Sequence, residues 1–373
     1  MGQFTTEAWV LPSGRGRSEA GQLVRDTVTL SDISAEEVLA EPLYGCWEGN
    51  MTHSIQRNPI DICLARQEEK VVIGNAGVVR ILKTGEAVRH LKAGDHCLVF
   101  CNGIWDAAGY PIKILGYDAP QTMGVLAKRI KLHMQQVIPI PEDSRFSLPQ
   151  WAAFSLRYIT AYANWQVAYG CWRTQMGHTK PQDVFVCAWG GGVSLAEVTL
   201  ARWMGCQAAM VASTPERLAL LQQLGIIPID RHGLDNIAFE EKLLDLVYTH
   251  TAGKGVSIFI DNIGAPVYKL TVKALARQGV IATSGWKHGA ILPISRAMEC
   301  INRHLYVPIM PVIPKALRPS PSRSNSSGCH PWLRMRRSTP GKKFPAWSKS
   351  MPPVDWPRTF PFFLSTREEQ PVA

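Results

Sequence analysis

From Val184 to Gly205 the chain reads VFVCAWGGGVSLAEVTLARWMG: five apolar residues that suit a buried strand, three glycines, then an amphipathic helix. Glycines at a strand-to-helix turn let the backbone approach a diphosphate, and the helix start adds unpaired N–H groups and the positive end of its dipole. A second strand over 207–212 and a second helix from Thr214 to Leu224 follow, so the segment predicts a βαβ unit that holds a dinucleotide. The candidate contacts are Trp189, Gly190, Gly191, Gly192 and Val193. The fingerprint is imperfect, because Trp189 stands at its first glycine position and Ser194 at its third. A glycine-rich turn that binds nothing is the simpler alternative. At the end of the second strand, where an acid would hold the ribose hydroxyls of NAD, stands Ala212, followed by Ser213-Thr-Pro-Glu-Arg217. A hydroxyl and a guanidinium suit a ribose phosphate, so Ser213 and Arg217 predict NADPH. Ser213 is equally placed to cap the helix that begins at Pro215.

Around this turn, residues 149–305 alternate helix and strand: a helix near 151–167, then β184–188, α192–204, β207–212, α215–223, β226–229, α236–250, β256–260, α267–276 and β279–284. That pattern predicts a doubly wound parallel sheet. Residues 22–150 instead hold short alternating runs, at 22–30, 71–82, 96–100, 124–132 and 136–140, as in a mostly β domain. The expected division is a β domain over 1–165, a dinucleotide domain over 166–306 and an irregular basic tail over 307–373. The tail carries +8 of the total net charge of +10 and 13 of the 26 prolines, with no periodicity, and predicts disorder. The remainder is nearly neutral, which argues against a nucleic-acid groove built into the fold. No run approaches the roughly 18–20 apolar residues that span a bilayer, and nine irregularly spaced cysteines suit reduced thiols in the cytoplasm.

In order, Gly74-Asn-Ala-Gly-Val-Val79, Leu91-Lys-Ala-Gly-Asp-His-Cys-Leu-Val99, Thr160-Ala-Tyr162, the glycine turn, Gly253-Lys-Gly-Val-Ser-Ile-Phe-Ile-Asp-Asn-Ile-Gly264 and Ala276-Arg-Gln-Gly-Val-Ile-Ala-Thr-Ser-Gly285 resemble the medium-chain dehydrogenase/reductase family over about residues 25–305. The resemblance implies a GroES-like β domain joined to a Rossmann domain, with homo-oligomers usual. It also places Thr160 beside the nicotinamide end of the cofactor, unless Thr160 is simply a satisfied helix hydroxyl. The family's Gly-His-Glu segment is Gly74-Asn75-Ala76 here, and the four cysteines of a structural zinc lobe are missing. Cys46 and His53 have no third ligand, and the expectation is a chain without metal. Ile114-Leu-Gly-Tyr-Asp-Ala-Pro-Gln-Thr-Met-Gly124 and Gly49-Asn-Met-Thr-His-Ser54 resemble segments of crotonyl-CoA carboxylase/reductases and enoyl-thioester reductases. By that resemblance Asn50, Tyr117 and Asp118 are the candidate catalytic residues. The implied reaction is hydride delivery to the β-carbon of an enoyl thioester, on CoA or on an acyl carrier protein. Asn50 as a turn residue and Asp118 as the start of the turn before Pro120 are the structural alternatives. A zinc-free quinone or alkenal reductase, and a cofactor-binding protein without turnover, are the alternative functions.

The tail also departs from the resemblance, and the genetic code supplies an explanation. Read from the third base of Pro308, allowed codons for Ile309-Met-Pro-Val-Ile-Pro-Lys-Ala316 spell His-Tyr-Ala-Arg-Tyr-Ser-Glu-Gly, similar to the family segment that carries an active-site histidine. The same offset turns residues 348–363 into a family-like ending. A shifted reading frame near residue 307, with activity impaired by loss of that segment, is the resulting expectation. Sequencing the gene tests it: the codons for 309–316 are expected to spell this peptide in the offset frame, and any other codons there dismiss the idea.

Overall fold

Alternate residues of Gln3–Pro12 face inward, Thr6, Ala8 and Val10 buried between exposed neighbours, which is the period of two that builds a strand with one wet face. In the computed structural model, which describes residues 2–16, 19–107, 111–232, 237–285, 287, 291 and 292 and the backbone of 362–364, this segment is strand β1. The described residues form two compact units, one up to Leu156 together with Phe362–Leu364 and one from Arg157 onward to residue 292. The unit boundary falls inside a long helix. The shifted-frame segments proposed for the tail lie outside the described residues, apart from the backbone of Phe362–Leu364.

The first unit continues with β2 (Val24–Ser31), β3 (Glu37–Cys46), α1 (Gly49–Gln56), α2 (Ile62–Arg66), β4 (Lys70–Val71), β5 (Gly77–Thr84), β6 (His96–Val99), β7 (Asn102–Trp105), β8 (Pro111–Ile114), β9 (Ile130–His133) and β10 (Val137–Pro139). Their pairing is antiparallel throughout: β2-β1-β4, β7-β8, and a larger sheet in the order β10-β6-β5-β3, with β9 also on β3. Residues Phe362–Leu364 add three backbone positions to the β3 edge opposite Tyr44–Cys46. Val10, Leu11, Ile73, Val79, Ile81 and Ile130 lie in the core of this unit. The run predicted over 71–82 is broken at Gly74, whose φ of +106° starts a turn between β4 and β5. Only the end of the run predicted over 124–132 forms a strand. The preceding backbone is held close instead, and a Cβ on Gly116 would stand 2.7 Å from the Gly74 carbonyl oxygen and 2.9 Å from the Gly124 Cα. Strands β1 and β3 fall where no run was predicted.

The second unit follows α3 (Leu148–Gln175) with β11 (Phe185–Ala188), α4 (Gly192–Trp203), β12 (Gln207–Ala212), α5 (Pro215–Gln223), β13 (Ile227–Asp230), α6 (Ile237–Thr251), β14 (Val256–Ile260), α7 (Ala265–Ala274) and β15 (Leu275–Ala282). The sheet is wholly parallel in the order β13-β12-β11-β14-β15, so strand order reverses at β11. This is the doubly wound topology the alternation predicts, with the crevice at the carboxyl end of β11. Phe239 and Leu243 of α6 and Val267 and Leu270 of α7 pack in one core with Phe185 and Cys187, placing both helices on one face. The last two elements start earlier than predicted. Asp261 accepts the N–H groups of Ile263 and Gly264 at 2.9 Å, fixing the start of α7, and Leu275 already pairs with Val256 before a bulge. No helix among the described residues is long and apolar enough to cross a membrane.

Along one face of α3, Arg157, Thr160, Ala161, Asn164 and Ala168 recur at the three- and four-residue spacing of a helical stripe. Asn164 Nδ2 donates to both carboxyl oxygens of Glu197 on α4, at 2.9 and 3.1 Å, and both residues are fully buried. Burial pushes the Glu197 carboxyl up to about 8. Asn164 Oδ1 has no partner, and a neutral carboxyl, unlike a carboxylate, is a donor that could supply one. Because the folded pKa lies above the ordinary value of 4.5, the contribution is fully present below pH 4.5 and is lost as pH rises through about 8. Glu197→Gln, neutral at every pH, is therefore expected to remove a fall in urea stability of about 5 kcal/mol between those limits. Parallel pH profiles for wild type and variant would overturn the assignment.

Candidate functional site

The glycine turn exposes backbone because the side chains at both ends of it are buried. Trp189 is 2% exposed, and its ring packs near Phe239 and Phe259. Its Nε1–H donates to Thr271 Oγ1 at 2.7 Å, and Thr271 in turn donates to Asp261 Oδ2 at 3.1 Å. Trp189 can thus offer a ligand only its backbone. At the other end Ser194 is 1% exposed and accepts a hydrogen bond from Asn262 Nδ2 at 3.1 Å. Asn262 Oδ1 accepts the N–H and hydroxyl of Ser284, at 2.6 and 3.0 Å. A serine in place of the third glycine is accommodated as a hydrogen-bonded link toward the end of β15. Between these anchors Gly190, Gly191, Gly192 and Val193 are partly or fully exposed. Gly191 has a φ of +139° and caps α4 with no side-chain bond, leaving the first-turn N–H groups available. A Cβ on Gly190 would stand 3.1 Å from the Val211 carbonyl oxygen, so the cradle is fitted to glycine.

Thr214, not Ser213, caps α5, accepting the Arg217 N–H at 3.3 Å. This corrects the capping alternative and leaves the half-buried Ser213 hydroxyl without that role. Arg217 reaches back from the first turn of α5 to donate from Nη2 to the Gly191 carbonyl oxygen at 3.1 Å. Burial, and next the charge of Arg157, lower its pKa. Arg157 is a residue the sequence analysis passed over: it is 6% exposed, and its Cδ and Nε lie 2.9 Å from the place a Gly192 Cβ would take. Thr160, three residues on along α3, shares that face and is half-buried. The spacing Arg157–Thr160 was legible once Thr160 had been singled out. Tyr158, beside Arg157, has its hydroxyl pushed up to about 12 by burial.

The three candidate catalytic residues lie in the first unit. Asn50 is the second residue of α1; its carbonyl accepts the Ser54 hydroxyl at 2.8 Å, and its Oδ1 is buried without a partner. Asp118 Oδ1 accepts the Ile114 N–H at 2.6 Å, so one carboxylate oxygen closes the turn that precedes it, not a turn that it starts before Pro120. Tyr117 is half-buried, its hydroxyl raised by burial and then by Asp118. The loop that carries them hangs on Arg66, 5% exposed, which forks onto Glu68 at 3.0 and 2.8 Å and donates to the carbonyls of Tyr117 at 3.2 Å and Thr122 at 2.7 Å. Among the described residues no hydrogen bond joins Asn50 to Tyr117 or Asp118.

A family model described as zinc-binding dehydrogenase matches residues 192–313. A quinone oxidoreductase-like protein 2 homolog from Nematostella vectensis is 26% identical over 246 residues, 64% of this chain and 58% of the relative. A lovastatin diketide synthase from Aspergillus terreus is 27% identical over 218 residues, 57% of this chain and 7% of that protein. The chain thus spans less than two thirds of either curated relative. Among solved structures, a 2-octenoyl-CoA carboxylase reductase, CinF, in complex with NADP and 2-octenoyl-CoA superposes with a TM-score of 0.65 at 19% identity, covering 82% of this chain and 76% of that one. The chain is thus similar to members of the medium-chain dehydrogenase/reductase family that its motifs resemble. Its two units are the GroES-like and Rossmann parts that the sequence resemblance implies.

The zinc-binding description of this family attaches to residues 192–313 and does not reach Cys46, His53 or Gly74–Ala76, where the resemblance puts the metal question. Among the described residues no three His, Cys, Asp or Glu side chains gather closely enough to hold an ion. Ala76 carries the carbonyl that the Cys46 N–H donates to, at 3.1 Å, so Asn75 sits one residue from the end of β3. It is 1% exposed, and neither its Nδ2 nor its Oδ1 has a partner. A buried amide with both ends unmatched destabilises the fold by itself. Asn75→Leu, similar in shape and apolar, is expected to raise urea stability by about 1–3 kcal/mol. A loss instead would show that the amide is hydrogen-bonded in solution.

Proposed function

We propose that this chain is an NADPH-dependent, zinc-independent reductase of the medium-chain family that delivers hydride to the β-carbon of a conjugated carbonyl, an enoyl thioester. The observation that carries the cofactor choice is Arg217, whose guanidinium lies at the Gly191 carbonyl while no acid stands at the end of β12. The turn fits the group: glycine backbone, a free helix start and a cation where a ribose phosphate would lie. Gly190, Gly191, Gly192 and Val193 would hold the diphosphate, Ser213 and Arg217 the ribose phosphate, and Thr160 would approach the nicotinamide end. The bound cofactor supplies a hydride, and Trp189 and Ser194 keep the turn rigid without touching it.

Support for the substrate class is the likeness to CinF, whose structure holds 2-octenoyl-CoA. The match to a stretch of a diketide synthase extends the class to carrier-bound acyl groups. In the first unit the unpartnered Oδ1 of Asn50 and the Tyr117 hydroxyl are the groups free to orient a thioester. Asp118, with one oxygen given to Ile114, retains the other for a ligand.

The quinone oxidoreductase-like relative favours a second substrate class, an α,β-unsaturated ketone or quinone. Absorbance at 340 nm with NADPH or NADH, and with crotonyl-CoA, 2-octenoyl-CoA, a benzoquinone or an alkenal, separates them. The expected result is NADPH consumption with the acyl thioesters and at least tenfold less with NADH, as loss of one bidentate phosphate contact implies. Turnover of quinone alone would transfer the assignment to the second class. NADPH binding with no turnover of any acceptor would identify a cofactor-binding protein.

A further inference from the structure

Two asparagines of the first unit are brought to one corner of the fold and are not bonded to each other. On one side of Asn75, the Ala76 carbonyl accepts the Cys46 N–H at 3.1 Å, and Gly77 pairs with Gly45 near the end of β3. On the other side, a Cβ on Gly74 would stand 3.5 Å from Cε of Met51, the residue that follows Asn50 on α1. Asn75 is therefore held beside the end of β3 and the first turn of α1. It is 1% exposed, and its Nδ2 and Oδ1 both lack a partner, as does the buried Oδ1 of Asn50. Exchanging the two ends of the Asn75 amide would change nothing, because neither end is bonded. One amide donor and two acceptors thus stand unmatched, an arrangement that costs stability until something supplies their partners.

Resting on the reading of the substrate as an acyl thioester, we infer that Asn75 and Asn50 form a subsite for the amide of the cysteamine arm that carries the acyl group. The pattern of unmatched groups separates the substrate classes. A quinone or an alkenal offers acceptors alone, so it could satisfy the Asn75 donor and would leave both Oδ1 atoms unmatched. An acyl group on CoA or on an acyl carrier protein is attached through cysteamine, whose amide lies two methylenes beyond the sulfur. That amide is trans, so its carbonyl and its N–H point to opposite sides. It suits two side chains that share a corner without bonding each other: the carbonyl accepts from Asn75 Nδ2, and the N–H donates to Asn50 Oδ1. Three unmatched atoms become one. All three are closed to solvent, so the arm enters by displacing a neighbour. Met51, unbranched and adaptable, is placed to give way.

Initial rates of NADPH oxidation by the full chain, with three thioesters of crotonic acid, test this. The N-acetylcysteamine thioester carries the amide, its N-methyl analogue lacks only the N–H, and the n-pentyl thioester has the same length without the amide. For wild type, kcat/KM is expected to be at least about tenfold higher with the N-acetylcysteamine thioester than with either of the others, chiefly through KM. Asn75→Leu is expected to bring its ratio to the pentyl thioester within about threefold while urea stability rises. Crotonyl-CoA and a crotonyl-acyl carrier protein present the same arm; the faster substrate names its source, and Asn75→Leu is expected to slow both. If wild type reduces the pentyl thioester as well as the N-acetylcysteamine thioester, the inference fails and the thioester reading stands. If the N-methyl analogue matches its parent, the assignment of the N–H to Asn50 fails. If Asn75→Leu keeps the wild-type ratio, or loses stability because its amide is already bonded, the inference fails. If no thioester is reduced, the substrate reading fails and this inference with it.

Discussion

Everything at the nucleotide crevice depends on one requirement, that four consecutive residues present bare backbone while both neighbours are locked away. A turn of three glycines is entropically costly to hold in one conformation. Rigidity is imported from side chains outside the turn. Trp189 is tied through Thr271 to Asp261, the same carboxylate that fixes the start of α7. Ser194 is tied through Asn262 to Ser284 beyond β15. Both chains of hydrogen bonds run through the loop between β14 and α7, so the strand that neighbours β11 in the sheet also determines the geometry of its loop. Buried polar networks of this kind strengthen one another at low local dielectric and penalise any member left unpaired.

The two departures from the glycine fingerprint are thereby explained. A tryptophan at the first position is tolerated because the chain turns its ring into the core shared by α6 and α7, where a hydroxyl waits for the indole N–H. A serine at the third position is tolerated because its hydroxyl is an acceptor for Asn262. Neither substitution occupies the face that a nucleotide would use. Sequence alone presents both as defects, since it does not reveal that Thr271 and Asn262, 82 and 68 residues away, are brought to meet them.

The parallel unit was legible nearly strand by strand because its strands are buried on both faces and read as continuous apolar runs, with helical periods between them. The α7–β15 junction slipped, where Leu275 and Ala276 suit a helix by propensity but are taken by pairing with β14, and α3 runs on to Gln175, past its expected end at 167. The antiparallel unit was less legible. Strand β1 carries threonine and glutamate on its wet face and β3 has a buried proline, Pro42, in its middle, and the pairing of β1 with β2 is a tertiary event that local pattern does not report. The candidate site divides along the same line. The glycine turn and Arg217 follow from local rules, and Asn75 stands in a segment the resemblance singles out, whereas Arg66 and Arg157 depend on which segments the fold brings together, and neither lies in a motif with chemical meaning of its own.

The contrast between Arg66 and Arg157 shows how burial alone misleads. Both are about equally enclosed. Arg66 spends its fork on Glu68 and on two loop carbonyls, Tyr117 and Thr122, and so acts as a strut for the loop carrying the candidate catalytic pair. Its charge is answered inside the protein. Arg157 packs against the start of α4, and its charge acts on that of Arg217. An arginine buried beside a carboxylate stabilises a loop, and its replacement should be felt as lost stability.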